Sequence, residues 1–206
     1  MLLDLNFPKK IAVWFYENNL PLKELTADEK ELSSNLSRFA SNRFKHSRSY
    51  LRYSLSNLFN IDPLKLPIIA KPNEAPILKN DLGFISISHC NKATVIAWAP
   101  FPIGIDIEEK ERKFPAYKLY KRYFQENEKL ILSQITHERL KKEVLKYWII
   151  KESAFKWQKD NEFNDLFNWE WIKEKDIALN KKKGLQVNTY MNSFKNFFIG
   201  LSYNDF

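Results

Sequence analysis

The stretch Ala99-Pro-Phe-Pro-Ile-Gly-Ile-Asp-Ile-Glu108 divides the sequence into two parts. Pro100 and Pro102 interrupt regular structure there, because proline fixes its own backbone and lacks an amide hydrogen. Before them the apolar pattern indicates a strand, two helices and two further strands. After them a strand, helices and strands follow in the same order. We therefore predict an α+β fold with an N-terminal half of residues 1–101 and a C-terminal half of residues 102–206.

The N-terminal half contains two predicted helices. Thr26-Ala-Asp-Glu29 has the S/T-x-x-E form of a capping box and should open a helix that runs to about Phe39. The second helix is predicted from Asn42 to Phe59. Its apolar residues at helical spacing should face the core, and they are Phe44, Leu51, Leu55 and Leu58. The predicted strands are Ile11–Glu17, Phe84–Ser88 and Ala93–Trp98.

The C-terminal half opens with a strand at Ile103–Glu108. Three helices are predicted after it, at Pro115–Phe124, Gln125–Thr136 and Leu140–Trp157. Three strand-like stretches then follow, at Trp169–Ile172, Leu185–Met191 and Asn196–Tyr203. Lys181-Lys-Lys-Gly184 is interpreted as the turn between two strands.

The composition describes a basic protein with enough apolar residues for a substantial core. The chain has 206 residues, of which 44% are hydrophobic, and its formal net charge is +8. Such a charge predicts an anionic partner without naming it. With four glycines and no GxxxxGK[ST] motif, the usual nucleotide-binding folds are disfavoured. The single cysteine, Cys90, excludes an intramolecular disulfide and a multi-cysteine zinc site.

Nothing in the sequence predicts a membrane segment or a signal peptide. No stretch approaches the roughly 20 apolar residues that span a bilayer. Residues 1–10 lack the apolar run of a secretory signal. We therefore expect a cytoplasmic protein with no membrane partner.

Asp106 and Glu108 are the first candidate site residues. Side chains alternate across a strand, so these two carboxylates share one face while Ile105 and Ile107 share the other. An isolated pair of this kind is most often a solvated strand face. Hard oxygen ligands placed together also suit magnesium, which needs few protein ligands when substrate phosphates supply the rest.

Glu152 and Lys156 form the second candidate pair. They are four residues apart and so lie on one helix face, as a stabilising surface pair would. However, Trp148, Ile149, Phe155 and Trp157 indicate that this helix is mostly buried. A buried glutamate and lysine would be costly without polar partners, so we predict that both point into a polar cleft.

The third candidate is Ser86-Ile-Ser-His-Cys90 at the end of a predicted strand. A lone histidine at such a position is more often structural than catalytic. A Cys90–His89 nucleophile pair is disfavoured, because neighbours on a strand point to opposite faces.

Taken together, and in their order along the chain, the three elements resemble the 4′-phosphopantetheinyl transferases. They are similar in particular to the double-length, surfactin-synthetase-activating type, which acts on carrier proteins of fatty-acid, polyketide and peptide synthesis. The resemblance rests on F-I-S-I-S-H-C (84–90), G-I-D-I-E (104–108) and W-x-x-K-E-x-x-x-K (148–156), with support from A-K-P (70–72) and from Arg122-Tyr-Phe124 followed by Glu128. Arg43-Phe44, Arg48 and Arg52 on the early helix also fit the family pattern.

The resemblance implies two pseudo-symmetric halves, each a small antiparallel sheet with packed helices, and an active site in the cleft between them. The implied reaction moves 4′-phosphopantetheine from coenzyme A to a carrier serine and releases adenosine 3′,5′-bisphosphate. The implied catalytic residues are Asp106, Glu152 and Lys156. The implied ligands of magnesium, or alternatively manganese, are Asp106, Glu108 and Glu152. Coenzyme A would be held by Arg43, Lys71, Ser88, His89 and Lys156.

The sequence departs from the family pattern at one place, and other functions remain as competing hypotheses. After Lys156 the family usually continues through a glycine-containing turn, whereas Trp157-Gln-Lys-Asp160 has no glycine. A non-catalytic homologue that binds coenzyme A or carriers is the main alternative. A nucleic-acid binder is disfavoured, because no such motif occurs and the lysines are scattered. The implied partner is an acidic carrier protein, and the double length implies a monomer.

Overall fold

A computed structural model of the chain describes residues 1–3, 7–8, 10–69, 75–159 and 165–205. The strands of the N-terminal half are β1 (Ala12–Glu17), β2 (Ile68–Ile69), β3 (Ile77–Leu78), β4 (Phe84–His89) and β5 (Ala93–Ala99). Its helices are α1 (Ala27–Ser34) and α2 (Arg38–Phe59), with a 3-10 turn at Pro63–Lys65.

The C-terminal half contributes strands β6 (Ile103–Glu109), β7 (Trp169–Ile172), β8 (Ile177–Asn180), β9 (Leu185–Phe194) and β10 (Phe197–Tyr203). Its helices are α3 (Ala116–Tyr123), α4 (Glu126–Ser133), α5 (His137–Gln158) and α6 (Asp165–Asn168), with a 3-10 turn at Lys173–Lys175. In the described residues, no helix combines the length and the apolar composition needed to cross a bilayer.

The α+β class is confirmed, with small antiparallel sheets covered by helices. A three-stranded sheet has the order β1-β5-β4, and a five-stranded sheet has the order β6-β10-β9-β8-β7. One hydrophobic cluster unites β1 and β5 of the first sheet with β6 and β10 of the second. Because the sheets differ in size, the halves are only loosely equivalent. The division at residues 101 and 102 stays a prediction.

The helix boundaries in the N-terminal half differ from the prediction. Helix α1 begins at the expected capping box, in which Thr26 and Glu29 bond each other's backbone amides. It ends at Ser34 and does not reach Phe39. Helix α2 begins four residues early, because Ser37 accepts a hydrogen bond from the amide of Ala40 and acts as its N-cap. The apolar period gave no sign of this polar cap.

The predicted core face of α2 is confirmed only in its centre. Leu51 and Leu55 are fully buried against the first sheet, and Phe44 is half-buried. Leu58 is 40% exposed, so its assignment to the core was wrong. In the C-terminal half, the turn at residues 181–184 lies between two strands as expected. Strand β8, which precedes that turn, was missed, and α5 starts three residues before the predicted Leu140.

Helix α5 lies across β6 and β10 at unusually short range. A Cβ atom added to Gly104 would sit 1.9 Å from the carbonyl oxygen of Ser153 and 2.6 Å from the amide nitrogen of Trp157. One added to Gly200 would sit 2.6 Å from Cγ2 of Ile149. Glycine at both positions therefore lets the helix approach the strands. Gly104 is on the same strand face as Asp106, so α5 covers that carboxylate.

Candidate functional site

Three elements meet where the two halves join. Ser88 near the end of β4, Asp106 in β6 and Lys156 in the last turns of α5 form one hydrogen-bonded group. The Ser88 hydroxyl donates to Asp106 Oδ1 at 2.6 Å. Lys156 Nζ donates to the same carboxylate oxygen at 2.7 Å and to Ser88 Oγ at 2.8 Å. Asp106 of the G-I-D-I-E motif thus contacts both Ser88 of the F-I-S-I-S-H-C motif and Lys156 of the W-x-x-K-E-x-x-x-K motif.

Asp106 is almost completely buried, with 2% of the residue exposed. This excludes the solvated strand face that an isolated I-D-I-E sequence would suggest. Its second oxygen, Oδ2, is buried and has no hydrogen-bond partner in the described structure. A buried carboxylate oxygen without a partner is costly, so Asp106 retains unused capacity to accept a hydrogen bond or to bind a cation.

Glu108 lies two residues further along β6 on the same face. Its carboxylate is paired with the guanidinium of Arg112, four residues later. Burial is the main cause that raises the pKa of Glu108 to about 7, and the negative charge of Asp106 adds to it. Arg112 and Lys156 act in the opposite direction. Sequence reasoning missed Arg112, whose only signal was its position four residues after a candidate carboxylate.

Glu152 projects from α5 toward the same carboxylates. Burial, followed by the charges of Asp106 and Glu108, raises its pKa to about 7. Lys156 and a hydrogen bond with the Trp148 side chain oppose this rise. The predicted approach of Glu152 to a polar cleft is therefore consistent with the electrostatics, because its carboxylate senses both acidic residues of β6.

His89 follows Ser88 at the end of β4. Burial and the nearby positive charges of Arg43 and Lys156 lower its pKa to about 4. Its Nδ1 atom is buried and has no hydrogen-bond partner in the described structure. The imidazole is therefore neutral at pH 7, and Arg43 is close enough to influence it. Lys71, the remaining residue expected to bind coenzyme A, lies outside the described residues.

The carboxylates do not form a ready metal cage. Among the residues that the structure describes, no group of three or more histidine, cysteine, aspartate or glutamate side chains could hold a metal ion as placed. Lys156 and Arg112 instead pair with Asp106 and Glu108. The donor chemistry still fits a hard divalent cation. Asp106 Oδ2 has no hydrogen-bond partner among the described residues, and a cation would offset the burial that disfavours the charged forms of both glutamates. Such a cation would compete with the two basic side chains.

A second buried network fixes α5 from its other side. Lys151 Nζ donates to Glu128 Oε2 at 2.7 Å and also bonds the carbonyl oxygen of Trp169. The Glu128 carboxylate also accepts from the amides of Gln125 and Trp171. Lys151 and Glu128 belong to motifs recognised in the sequence, but their pairing was missed. The sequence signal for this pairing was that Lys151 lies among apolar residues on the buried face of the helix, where a lysine needs an acidic partner.

The fold and the site together define a class of α+β protein. In this class, carboxylates and a lysine of the C-terminal half lie beside a serine and a histidine of the N-terminal half. Residues 102–199, just under half of the chain, match the family model of the 4′-phosphopantetheinyl transferase superfamily. Residues 102–199 are therefore similar to a domain of that superfamily, whose members use coenzyme A as substrate. A comparison with curated proteins found no match.

Proposed function

We propose that the protein transfers 4′-phosphopantetheine from coenzyme A to a serine of an apo acyl or peptidyl carrier protein. The products would be the holo carrier and adenosine 3′,5′-bisphosphate. The observation that carries this proposal is the contact of Ser88, Asp106 and Lys156, which brings a first-half residue to the superfamily domain. Because one chain supplies both sides of this contact, we also propose the double-length, surfactin-synthetase-activating type, acting as a monomer.

Glu152 is the proposed general base. In the metal-free protein the pKa of Glu152 is about 7, and a base with that pKa is partly unprotonated at neutral pH and still accepts a proton readily. Glu152 would take the hydroxyl proton of the carrier serine, directly or through water, as the serine oxygen attacks the phosphorus that bears pantetheine. The bond from that phosphorus to the bridging oxygen then breaks, and adenosine 3′,5′-bisphosphate leaves with that oxygen.

Lys156 would stabilise the negative charge of the reacting phosphates as a point cation. Asp106 and Ser88 hold its ammonium group in place. With Arg43 and Lys71, the neutral His89 would bind the phosphates and the adenosine end of coenzyme A. A neutral imidazole contributes a hydrogen bond there and no charge.

Asp106, Glu108 and Glu152 are the proposed ligands of Mg²⁺, with Mn²⁺ as an alternative. When bound, the cation would offset the charge that develops on the leaving phosphate. The net charge of +8 favours an acidic carrier protein as the partner, because opposite charges steer association.

The direct test is incubation with apo carrier proteins, coenzyme A and MgCl₂, followed by intact-mass analysis of the carriers. We expect a mass increase of one phosphopantetheine group on at least one carrier. The absence of any increase, with carriers that a known transferase modifies in parallel, would refute the proposal. If coenzyme A still bound in that case, the non-catalytic homologue would be the better description.

A further inference from the structure

A cavity of about 750 Å³ lies on the N-terminal half, away from the site described above. Its walls are the segment 22–25, one residue of α1, one face of α2 and the 3-10 turn that follows α2. The lining residues are Leu22, Lys23, Glu24, Leu25, Lys30, Lys45, Ser49, Tyr53, Pro63 and Leu64. Its volume is within the range of small-molecule sites.

Hydrogen bonds hold the walls of this cavity in place. Tyr50 donates to the carbonyl oxygen of Pro21 at 2.8 Å, which ties the incoming segment to α2. Arg52 pairs with Glu29 of α1 at 2.7 Å and donates to the carbonyl oxygen of Pro63 at 2.8 Å. Arg52 and Glu29 are both buried, so α1, α2 and the turn are joined through the contacts of one guanidinium group. A ligand would therefore meet a preformed site.

The lining carries more positive than negative charge. Its described residues include three lysines, Lys23, Lys30 and Lys45, and one acidic residue, Glu24. Within the described part of the chain, none of the three lysines forms an ion pair. The ammonium group of Lys23 instead lies 5.0 Å from the centre of the Tyr53 ring. Three lysines that form no ion pair among the described residues, beside a single described carboxylate, favour an anionic ligand.

The remaining lining is apolar and partly open to solvent. Leu22 is 51% exposed, Leu64 is 44% exposed and Tyr53 is 41% exposed. Single exposed apolar residues need no explanation, but three at one cavity indicate a surface that a ligand could cover. The ligand should therefore have an apolar body as well as an anionic group.

This cavity is separate from the proposed coenzyme A site. Lys45, Ser49 and Tyr53 succeed one another at four-residue intervals and form one stripe of α2. Arg43, whose charge influences His89, is two residues from Lys45 and hence roughly 200° around the helix. Among the described residues, those that line the cavity include no member of the reaction site.

We propose that the cavity binds a small organic anion with an alkyl or similar apolar body, with a phosphate group as the most suitable anion. Lysine ammonium groups bind phosphate as point charges, and Leu22, Leu25 and Leu64 would cover the apolar part. This proposal does not depend on the transferase activity.

Octyl phosphate is the probe, titrated below its micelle concentration and followed by calorimetry and by backbone amide shifts. We expect saturable binding, with shifts concentrated in residues 22–25 and 45–53. Octan-1-ol and inorganic phosphate should each bind at least about tenfold more weakly, because each lacks one half of the ligand. The double variant Lys30→Gln/Lys45→Gln should weaken binding about tenfold, and Lys65→Gln, outside the lining, should not.

Several results would overturn the assignment. Equal binding of octan-1-ol would leave only an apolar surface, and an unchanged affinity in the double variant would place the anion elsewhere. Loss of octyl phosphate binding at saturating coenzyme A would assign the cavity to the coenzyme A site. Tighter binding of an acidic amphipathic peptide would assign it to protein docking. Transfer activity is not part of this test, so either proposal can fail alone.

Discussion

Two lysines of α5, five residues apart, each pair with a buried carboxylate from another element, and the two pairs differ in what surrounds them. The side chains of Lys151 and Glu128 are 0% and 1% exposed, and the pair also bonds two backbone amides and a carbonyl group. The side chains of Lys156 and Asp106 are 28% and 3% exposed, and Asp106 Oδ2 has no partner in the described structure. We call the Lys151–Glu128 pair the closed site, because it is fully buried and its contacts hold the helix in place. We call the Lys156–Asp106 pair the open site, because it is partly exposed and can still bind a ligand.

The largest expected effect is on transfer by Glu152→Gln at the open site. Removing a general base should lower kcat by about 10²- to 10⁴-fold while the side-chain shape is kept. Initial rates of carrier modification measure this change. Glu138→Gln, an exposed glutamate in the first turn of the same helix, is the matched control and should retain the parent rate. A Glu152→Gln variant as fast as the parent would remove Glu152 from the mechanism.

The next largest effect is on stability, at the closed site. Lys151→Met leaves the buried carboxylate of Glu128 without its counter-ion, which should lower the free energy of unfolding by about 3–5 kcal/mol. Denaturant unfolding measures it. Lys142→Met, which breaks an exposed pair with Glu111, should have little effect.

If Lys151→Met does not fold, the double variant Lys151→Met/Glu128→Leu separates charge from packing. An apolar replacement of both partners should recover much of the stability. A double variant as unstable as the single one would show that the pair is not the source of the loss.

The open site should also make stability depend on pH. Burial and neighbouring charges raise the pKa of Glu152 from 4.5 to about 7, so the folded protein binds this proton more tightly than the unfolded chain does. The resulting stabilisation is complete below about pH 4.5 and is lost as the pH rises to 7. Metal-free Glu152→Gln should therefore exceed the parent in stability by about 3 kcal/mol at pH 8 relative to pH 4.5. Equal pH profiles of the two proteins would contradict the raised pKa.

The smallest expected effect is on substrate use by Lys156→Gln. Loss of one partly exposed cation near the phosphates should lower kcat/KM for coenzyme A by about tenfold, mainly through KM. Lys175→Gln, on the exposed turn before β8, serves as the control. An unchanged KM, with a large loss of stability, would make Lys156 a second structural lysine like Lys151.

Parts of this comparison could be predicted from local sequence patterns. Strand alternation placed Asp106 and Glu108 on one face, and helical spacing placed Glu152 and Lys156 on another. Gly104 belongs to the same pattern, but only the packing of α5 shows why a side chain is excluded there. The spacing of apolar residues correctly predicted that Leu51 and Leu55 are buried. It does not show how far the sheet covers α2, and so it wrongly placed Leu58 in the core.

Other parts depend on residues that are distant in sequence. Lys151 and Glu128 are 23 positions apart on different helices, and nothing local identifies one as the partner of the other. Ser88 and Asp106 come from different halves, so their contact was expected only because the motifs resemble those of a known family. The pairing of Glu108 with Arg112 would compete with the proposed metal ion for the same carboxylate, and side-chain spacing alone does not decide which partner is present.

The most direct test of the central claim compares the parent protein with Asp106→Asn on one apo carrier, with coenzyme A and MgCl₂, by intact-mass analysis over time. The account predicts that the parent adds one phosphopantetheine group to the carrier and that the variant, with the shape of the site kept and its charge removed, adds it at least about a hundredfold more slowly. An unmodified carrier with the parent, or equal rates with both proteins, would contradict it.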